Sequence, residues 1–170
     1  MKKIGLLLSV LIISGCALEQ GSSANVSVIN SDGDEIGTVE MQESPEGVKM
    51  SFDLTGLPPG EHAVHIHNKN KCDIPDFLSA GEHLNPDDKQ HGLLNPEGAH
   101  AGDLPNLIAD EQGVVKVDIV APGVTLKDGK TTLFTKDGTS IVIHENADDG
   151  MSQPAGNGGE RIACGEIKKK

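Results

Sequence analysis

From residue 25 onward the chain repeats short runs in which apolar and polar residues alternate, and no stretch keeps the three-to-four spacing of an amphipathic helix. Alternation sends successive side chains to opposite faces of an extended backbone, so each run predicts a strand with one face in a core. The predicted strands are 25–30, 35–41, 48–54, 61–67, 114–120, 131–135, 139–144 and 161–167. Between them stand turn-forming groups: Asp32-Gly33, Pro45-Glu46-Gly47, Pro58-Pro59-Gly60, Lys127-Asp128-Gly129 and Asp137-Gly138. The expected fold class is all-β, with hairpin and Greek-key connections. The length is that of one domain, spanning 25–170.

Two segments break the rhythm, 68–112 and 145–160. Both exceed ordinary connections, and such loops are functional or disordered. The first contains His83, His91, His100, Asp103 and Cys72, which favours function, because a long loop lacking its own core needs an anchor and a metal supplies one.

The first fifteen residues follow a different pattern: Lys2 and Lys3, an apolar run, then Ser14 and Gly15. This is the anatomy of an export signal, and the run is too short to span a bilayer. The sequence Ile13-Ser14-Gly15-Cys16 resembles the lipobox of bacterial lipoproteins, in which cleavage precedes a cysteine that then carries lipid. The expected organisation is a signal peptide over 1–15, a lipidated tether over 16–24 rich in small and polar residues, and the β domain. The expected location is extracytoplasmic, at the cell membrane, with membrane contact through the lipid alone.

Composition agrees with a β fold: 21 glycines, 9 prolines, no tryptophan and no tyrosine. The formal charge is −12, becoming −14 when Lys2 and Lys3 leave with the signal. Clustered bases that neutralise phosphates are missing, which argues against nucleic-acid binding.

Chemistry concentrates in the histidines, three of which fall within Gly60-Glu-His-Ala-Val-His-Ile-His67. On a strand His65 and His67 share a face, whereas His62 joins Val64 and Ile66 on the other. His65 and His67 with His144, at the end of another strand, offer three imidazoles, and a fourth completes the nitrogen-rich set that favours Cu(II). His91, His100 and Asp103 offer two imidazoles and a carboxylate, and a third imidazole makes a four-coordinate zinc set. His83 has two ring nitrogens and can serve both metals at once.

Six segments in order, GEHAVHIH at 60–67, SAGEHLNP at 79–86, His91-Gly92, HAGDLPNL at 100–107, VIHENADD at 142–149 and GNGGERIACGEI at 156–167, resemble the copper/zinc superoxide dismutases of bacterial exported type. The resemblance runs over nearly all of 25–167. It implies an eight-stranded Greek-key β-barrel or sandwich, with His65, His67, His83 and His144 as copper ligands and His83, His91, His100 and Asp103 as zinc ligands. It makes His83 the bridge and the residue that passes a proton to the product. Asp148 becomes the carboxylate linking a copper-side histidine to a zinc-side one. Cys72 pairs with Cys164, leaving Cys16 for the lipid. Arg161, the chain's only arginine, becomes the cation that docks a superoxide anion. Ala63 and Val64 depart from the glycine and aromatic that many members carry, and 145–160 is shorter than the corresponding loop of animal enzymes. The alternative class is a surface-anchored protein that binds or buffers copper and zinc without turnover. Storage needs neither Arg161 nor a shared His83, and both favour the enzyme.

Overall fold

A computed structural model describes residues 22–169. The expected signal peptide, Cys16 and most of the tether lie outside the described residues. Nine strands follow in chain order: β1 (Ser23–Asn30), β2 (Glu35–Ser44), β3 (Gly47–Leu54), β4 (Gly60–His62), β5 (Val64–His67), β6 (Leu107–Ala109), β7 (Val115–Ala121), β8 (Thr139–His144) and β9 (Arg161–Ile167). One short 3-10 turn, Leu78–Ala80, interrupts the first long loop. Because β1 starts at Ser23, the last two positions assigned to the tether belong to the sheet.

Seven strands form one antiparallel sheet in the order β5-β8-β9-β1-β2-β3-β7, while β4 and β6 form a second, two-stranded one. The two are continuous: β4 runs into β5 through Ala63, and β6 turns into β7 through a bond from Asp110 N to Val114 O of 3.0 Å. The sheet therefore curls back on itself. The alternation read from the sequence is what faces the core. In β1 Ala24, Val26 and Val28 are buried, and in β3 Val48, Met50, Phe52 and Leu54 are. Each large apolar side chain so buried stabilises the fold by about 1.5–3 kcal/mol before cavity effects.

Strand β8 is buried along its whole length, for two different reasons. Ile141 and Ile143 enter the main core, while Val142 faces the other way and packs with Phe77, Ala80 and Cys164 beneath the first long loop. Cys72 and Cys164 form a disulfide, 92 residues apart in sequence, that holds this loop to β9.

Three expectations are corrected. The strand predicted over 61–67 is two strands in different sheets, because at Ala63 the backbone leaves the ladder: Ala63 N donates to Asn146 O and His144 N to Ala63 O, at 2.8 and 2.9 Å. Residues 131–135 form no strand. Leu133 is buried there and Thr132 makes only an isolated bridge to Thr125, so the run fills the core as a loop. Its alternation came from one buried leucine among threonines, without a partner strand. The missing strand is β6, inside the long segment 68–112, and within its three residues Leu107 and Ala109 turn inward while Ile108 is exposed. Counting β4 and β5 as one kinked strand, eight strands remain, as expected for the barrel.

Candidate metal centre

Strand pairing fixes the first three imidazoles. His65 pairs with Val142 and His67 with Ser140, which places both histidines on the outer, loop-covered face of β5 while Val64 and Ile66 enter the core. His144 ends β8 at a bulge between Ile143 and His144. A bulge re-aims the side chain that follows it.

The long loop brings the rest by hydrogen-bonding to β5 from outside it. Ile66 N donates to Gly102 O at 2.8 Å, Leu84 N to Ile66 O at 2.7 Å and Gly102 N to Leu84 O at 2.9 Å. This lays His83 against His67 and Asp103 against His65. Only glycine fits at position 102, where an added Cβ would lie 2.3 Å from Ile66 O.

Each histidine of the first set has one ring nitrogen committed and one bare. His65 Nε2 donates to Asp148 Oδ2 (2.8 Å), His67 Nδ1 to Gly81 O (2.9 Å) and His144 Nδ1 to Gly159 O (3.2 Å). His83 Nδ1 faces Asp103 Oδ1 at 3.0 Å. The remaining nitrogens, His65 Nδ1, His67 Nε2, His83 Nε2 and His144 Nε2, are buried without a hydrogen-bond partner. Orphaned buried polar atoms are costly, and four together demand a ligand. The four residues offer ligand atoms within 4.8 Å of one another. Burial holds the rings neutral, moving His65 down to about 4, His144 to about 3 and His67 well below its ordinary value. Neutral imidazoles keep the lone pairs a metal requires.

The second set gathers around one carboxylate oxygen. Asp103 Oδ1 lies 3.0 Å from His83 Nδ1, 3.1 Å from His91 Nδ1 and 3.2 Å from His100 Nδ1, and the His83 and His100 nitrogens are 3.3 Å apart. A tetrahedron with zinc–nitrogen bonds of about 2.0–2.1 Å has edges of about 3.3 Å, so the four donors fit zinc. Asp103 Oδ2 is held by the amides of Gly92 (2.9 Å) and His100 (3.0 Å). Burial alone would raise the Asp103 pKa, but hydrogen bonds from His83, His91 and Gly92 carry it well below the carboxylate range. Burial likewise lowers His91, yet the hydrogen bonds and charges of Asp103 and Asp148 outweigh it and leave its pKa raised to about 9.

Asp148 joins the two sets, with Oδ2 on His65 Nε2 and Oδ1 on His91 Nε2 at 3.1 Å. Such a carboxylate fixes the tautomer and tilt of both rings. Its backbone is gripped by Asn106, which donates from Nδ2 to Asp148 O (3.0 Å) and accepts from Asp148 N (2.9 Å). Gly156 lies directly over it, since an added Cβ would meet Asp148 Oδ1 at 1.9 Å. Arg161 donates from Nη1 to Phe77 O and from Nη2 to Gly81 O, both at 2.9 Å, so the chain's only arginine stands beside the first set.

All the expected site residues within the described range come together. His62 does not join them: buried, it ties the carbonyls of Pro58 and His144 through its two ring nitrogens at 2.7 and 2.9 Å. Gly81, Gly102, Asn106 and Gly156 act without carrying chemistry of their own, and only their places inside the motifs at 79–86, 100–107 and 156–167 could have pointed to them.

Residues 35–167 match the family described as copper/zinc superoxide dismutase. The chain belongs to that family. It is 47% identical to superoxide dismutase [Cu-Zn] 2 of Aquifex aeolicus over 99% of this chain and all of that one. The superoxide dismutase fold recurs in a SOD-like protein from Bacillus subtilis, with a TM-score of 0.83 and 42% identity, covering 85% of this chain and 97% of that one. It recurs in the Cu/Zn superoxide dismutase of Brucella abortus at a TM-score of 0.72 and 33% identity, covering 86% of this chain and all of that one.

Proposed function

We infer that the protein is a copper/zinc superoxide dismutase, and the observation that carries this reading is the ring of four bare imidazole nitrogens beside Arg161. Family membership spans proteins named as dismutases and one named only as dismutase-like, so the residues of this chain must decide. His65, His67, His83 and His144 are assigned to copper, and His83, His91, His100 and Asp103 to zinc. Copper, when bound, supplies the one-electron chemistry by which two superoxide anions and two protons become dioxygen and hydrogen peroxide; zinc is redox-silent and organises the loop.

The chain's residues supply the rest. Arg161 attracts and docks the anion, because its guanidinium bonds carbonyls and keeps its full charge in an otherwise acidic protein. His83 faces the copper set with Nε2 and Asp103 with Nδ1, so Nε2 can hold a proton and pass it to the departing product while Nδ1 keeps the ring in place. Asp148 keeps His65 and His91 from turning. A buffering role is the weaker reading, since storing metal needs no permanent cation beside the copper set.

The disulfide calls for an oxidising compartment, which supports export. Together with the lysine-led apolar start and Cys16, it supports a mature protein outside the cytoplasm, lipid-anchored through Cys16, with a tether that runs from Cys16 to the start of β1 and the catalytic domain beyond it. Labelled-lipid incorporation that survives Cys16→Ala would remove the anchor. The test of function is a dismutase assay on copper- and zinc-loaded protein beside its zinc-only form. Equal rates would leave metal buffering as the function.

A further inference from the structure

The loop 145–160 carries a second amide side chain whose contacts mirror those of Asn106. Gln153 accepts from His91 N through Oε1 at 2.9 Å and donates from Nε2 to His91 O at 2.9 Å and to Met151 O at 3.0 Å. It thus pairs with both backbone groups of His91, 62 residues away, as one strand residue pairs with another. Asn106, on the long metal loop, grips the backbone of Asp148 on the shorter loop; Gln153, on the shorter loop, grips the backbone of His91 on the long one. Between these grips lies the ring-to-carboxylate bond from His91 Nε2 to Asp148 Oδ1.

We propose that Gln153 is a positioning residue for the zinc set, completing with Asn106 a reciprocal clasp that fixes His91 against Asp148. The chemistry suits an amide, because the side chain accepts from an N–H through one atom and donates to a carbonyl through its neighbour, and a carboxamide carries both groups side by side without charge. The short loop gives this role its weight. Neither loop forms strands at this junction, so their backbones meet through the bond from Leu94 N to Gly150 O at 3.1 Å and no sheet ladder sets their relative height, and a displaced His91 would move Nδ1 off Asp103 Oδ1. Gln153 itself is exposed and its hydrogen bonds go to backbone groups, which distinguishes it from a ligand.

The inference rests on the zinc assignment of His91, and the experiment keeps the two apart. Amide hydrogen exchange on the metal-free protein reads the clasp alone: in Gln153→Ala the His91 amide should lose protection, in Asn106→Ala the Asp148 amide should, and core amides of β2 and β3 should be unchanged in both. Zinc affinity by chelator competition reads the consequence. Gln153→Ala should weaken zinc roughly tenfold, the lower end for partners that orient metal ligands. Gln153→Glu, which accepts but does not donate, should fall between wild type and alanine. The double variant should lose less than the product of the single losses, because each grip serves the same contact. Unchanged His91 exchange in Gln153→Ala overturns the clasp whatever the zinc result. Changed exchange with unchanged zinc affinity overturns the positioning role, and wild-type protein that takes up no zinc overturns the site assignment while the exchange data still judge the clasp.

Discussion

His67 and Arg161 hydrogen-bond to the same atom, the carbonyl oxygen of Gly81, each at 2.9 Å. The imidazole assigned to copper and the guanidinium proposed to dock the anion are thereby set by one peptide group on the loop that the disulfide ties down.

Arg161→Ala should leave both metals bound, because a guanidinium ligates neither, and should lower activity roughly tenfold or more through lost attraction. The rate of the variant should fall less steeply with added salt than that of wild type, since screening acts on an attraction it no longer has. A steady-state series over ionic strength checks this; parallel slopes would remove steering from the arginine.

Glu82 and Asp76 are the carboxylates whose charge acts on Arg161, and Glu82 sits between Gly81 and His83. Glu82→Gln should raise the rate at low ionic strength by a few-fold, with the gain shrinking as salt is added. A salt-independent change would point to a packing effect.

Asp148→Asn should weaken zinc by roughly 10–100-fold and loosen His65, because an amide carries no charge and puts an NH2 donor where one of the two accepting oxygens stood. Chelator-driven zinc release, followed at constant copper loading, gives the measurement. Release at the wild-type rate would show that His91 is held without it.

The metal-free protein should be most stable near pH 6.5. His65 and His144 bind protons near 6.5 when unfolded but only at about 4 and about 3 when folded, so their contribution is lost as pH falls below 6.5. The pKa of His91 is raised from 6.5 to about 9, so its contribution is full below 6.5 and is lost as pH rises through 9. Asp103 and Asp148, both lowered when folded, add a further loss in acid. Urea midpoints of chelated protein across this range should describe a peak. A steady rise into alkali would contradict the His91 assignment.

Reducing the disulfide should release the loop over residues 68–106 before the sheet. On the chain-entropy account a bridge across 92 residues stabilises by about 4–5 kcal/mol, and its attachment point on β9 also carries the bond from Cys72 N to Glu166 Oε1 at 3.1 Å. Exchange mapped before and after reduction should show early loss at 77–84, with β2 and β3 last. Uniform loss would mean that the loop is held elsewhere.

Strands β1, β2, β3 and β7 were legible in the sequence because each alternates against a single core, and β8 and β9 because their apolar runs end at turn signals although both contribute to two clusters; His65 and His67 were legible because they alternate with Val64 and Ile66 on β5. The kink at Ala63 was not, since its cause is a pair of backbone bonds to loop residue Asn146 and strand end His144, which no local pattern records. Strand β6 was hidden by its length of three residues, and 131–135 misled because a lone buried Leu133 reads like half an alternation. The roles of Asn106 and Gln153 are relations between two loops far apart in sequence, and only folding brings them into view.

The histidines divide by where they are rooted. His65, His67 and His144 are part of the sheet and stand in place once β5 and β8 pair, whereas His83, His91, His100 and Asp103 all belong to one loop wrapped over them. A protein engineer transplanting that loop onto another barrel would therefore carry a portable zinc cassette and a single imidazole for copper, and would have to carve the other three into the host's own strands. The copper half is architecture and the zinc half is upholstery, joined by the one histidine that has a nitrogen in each.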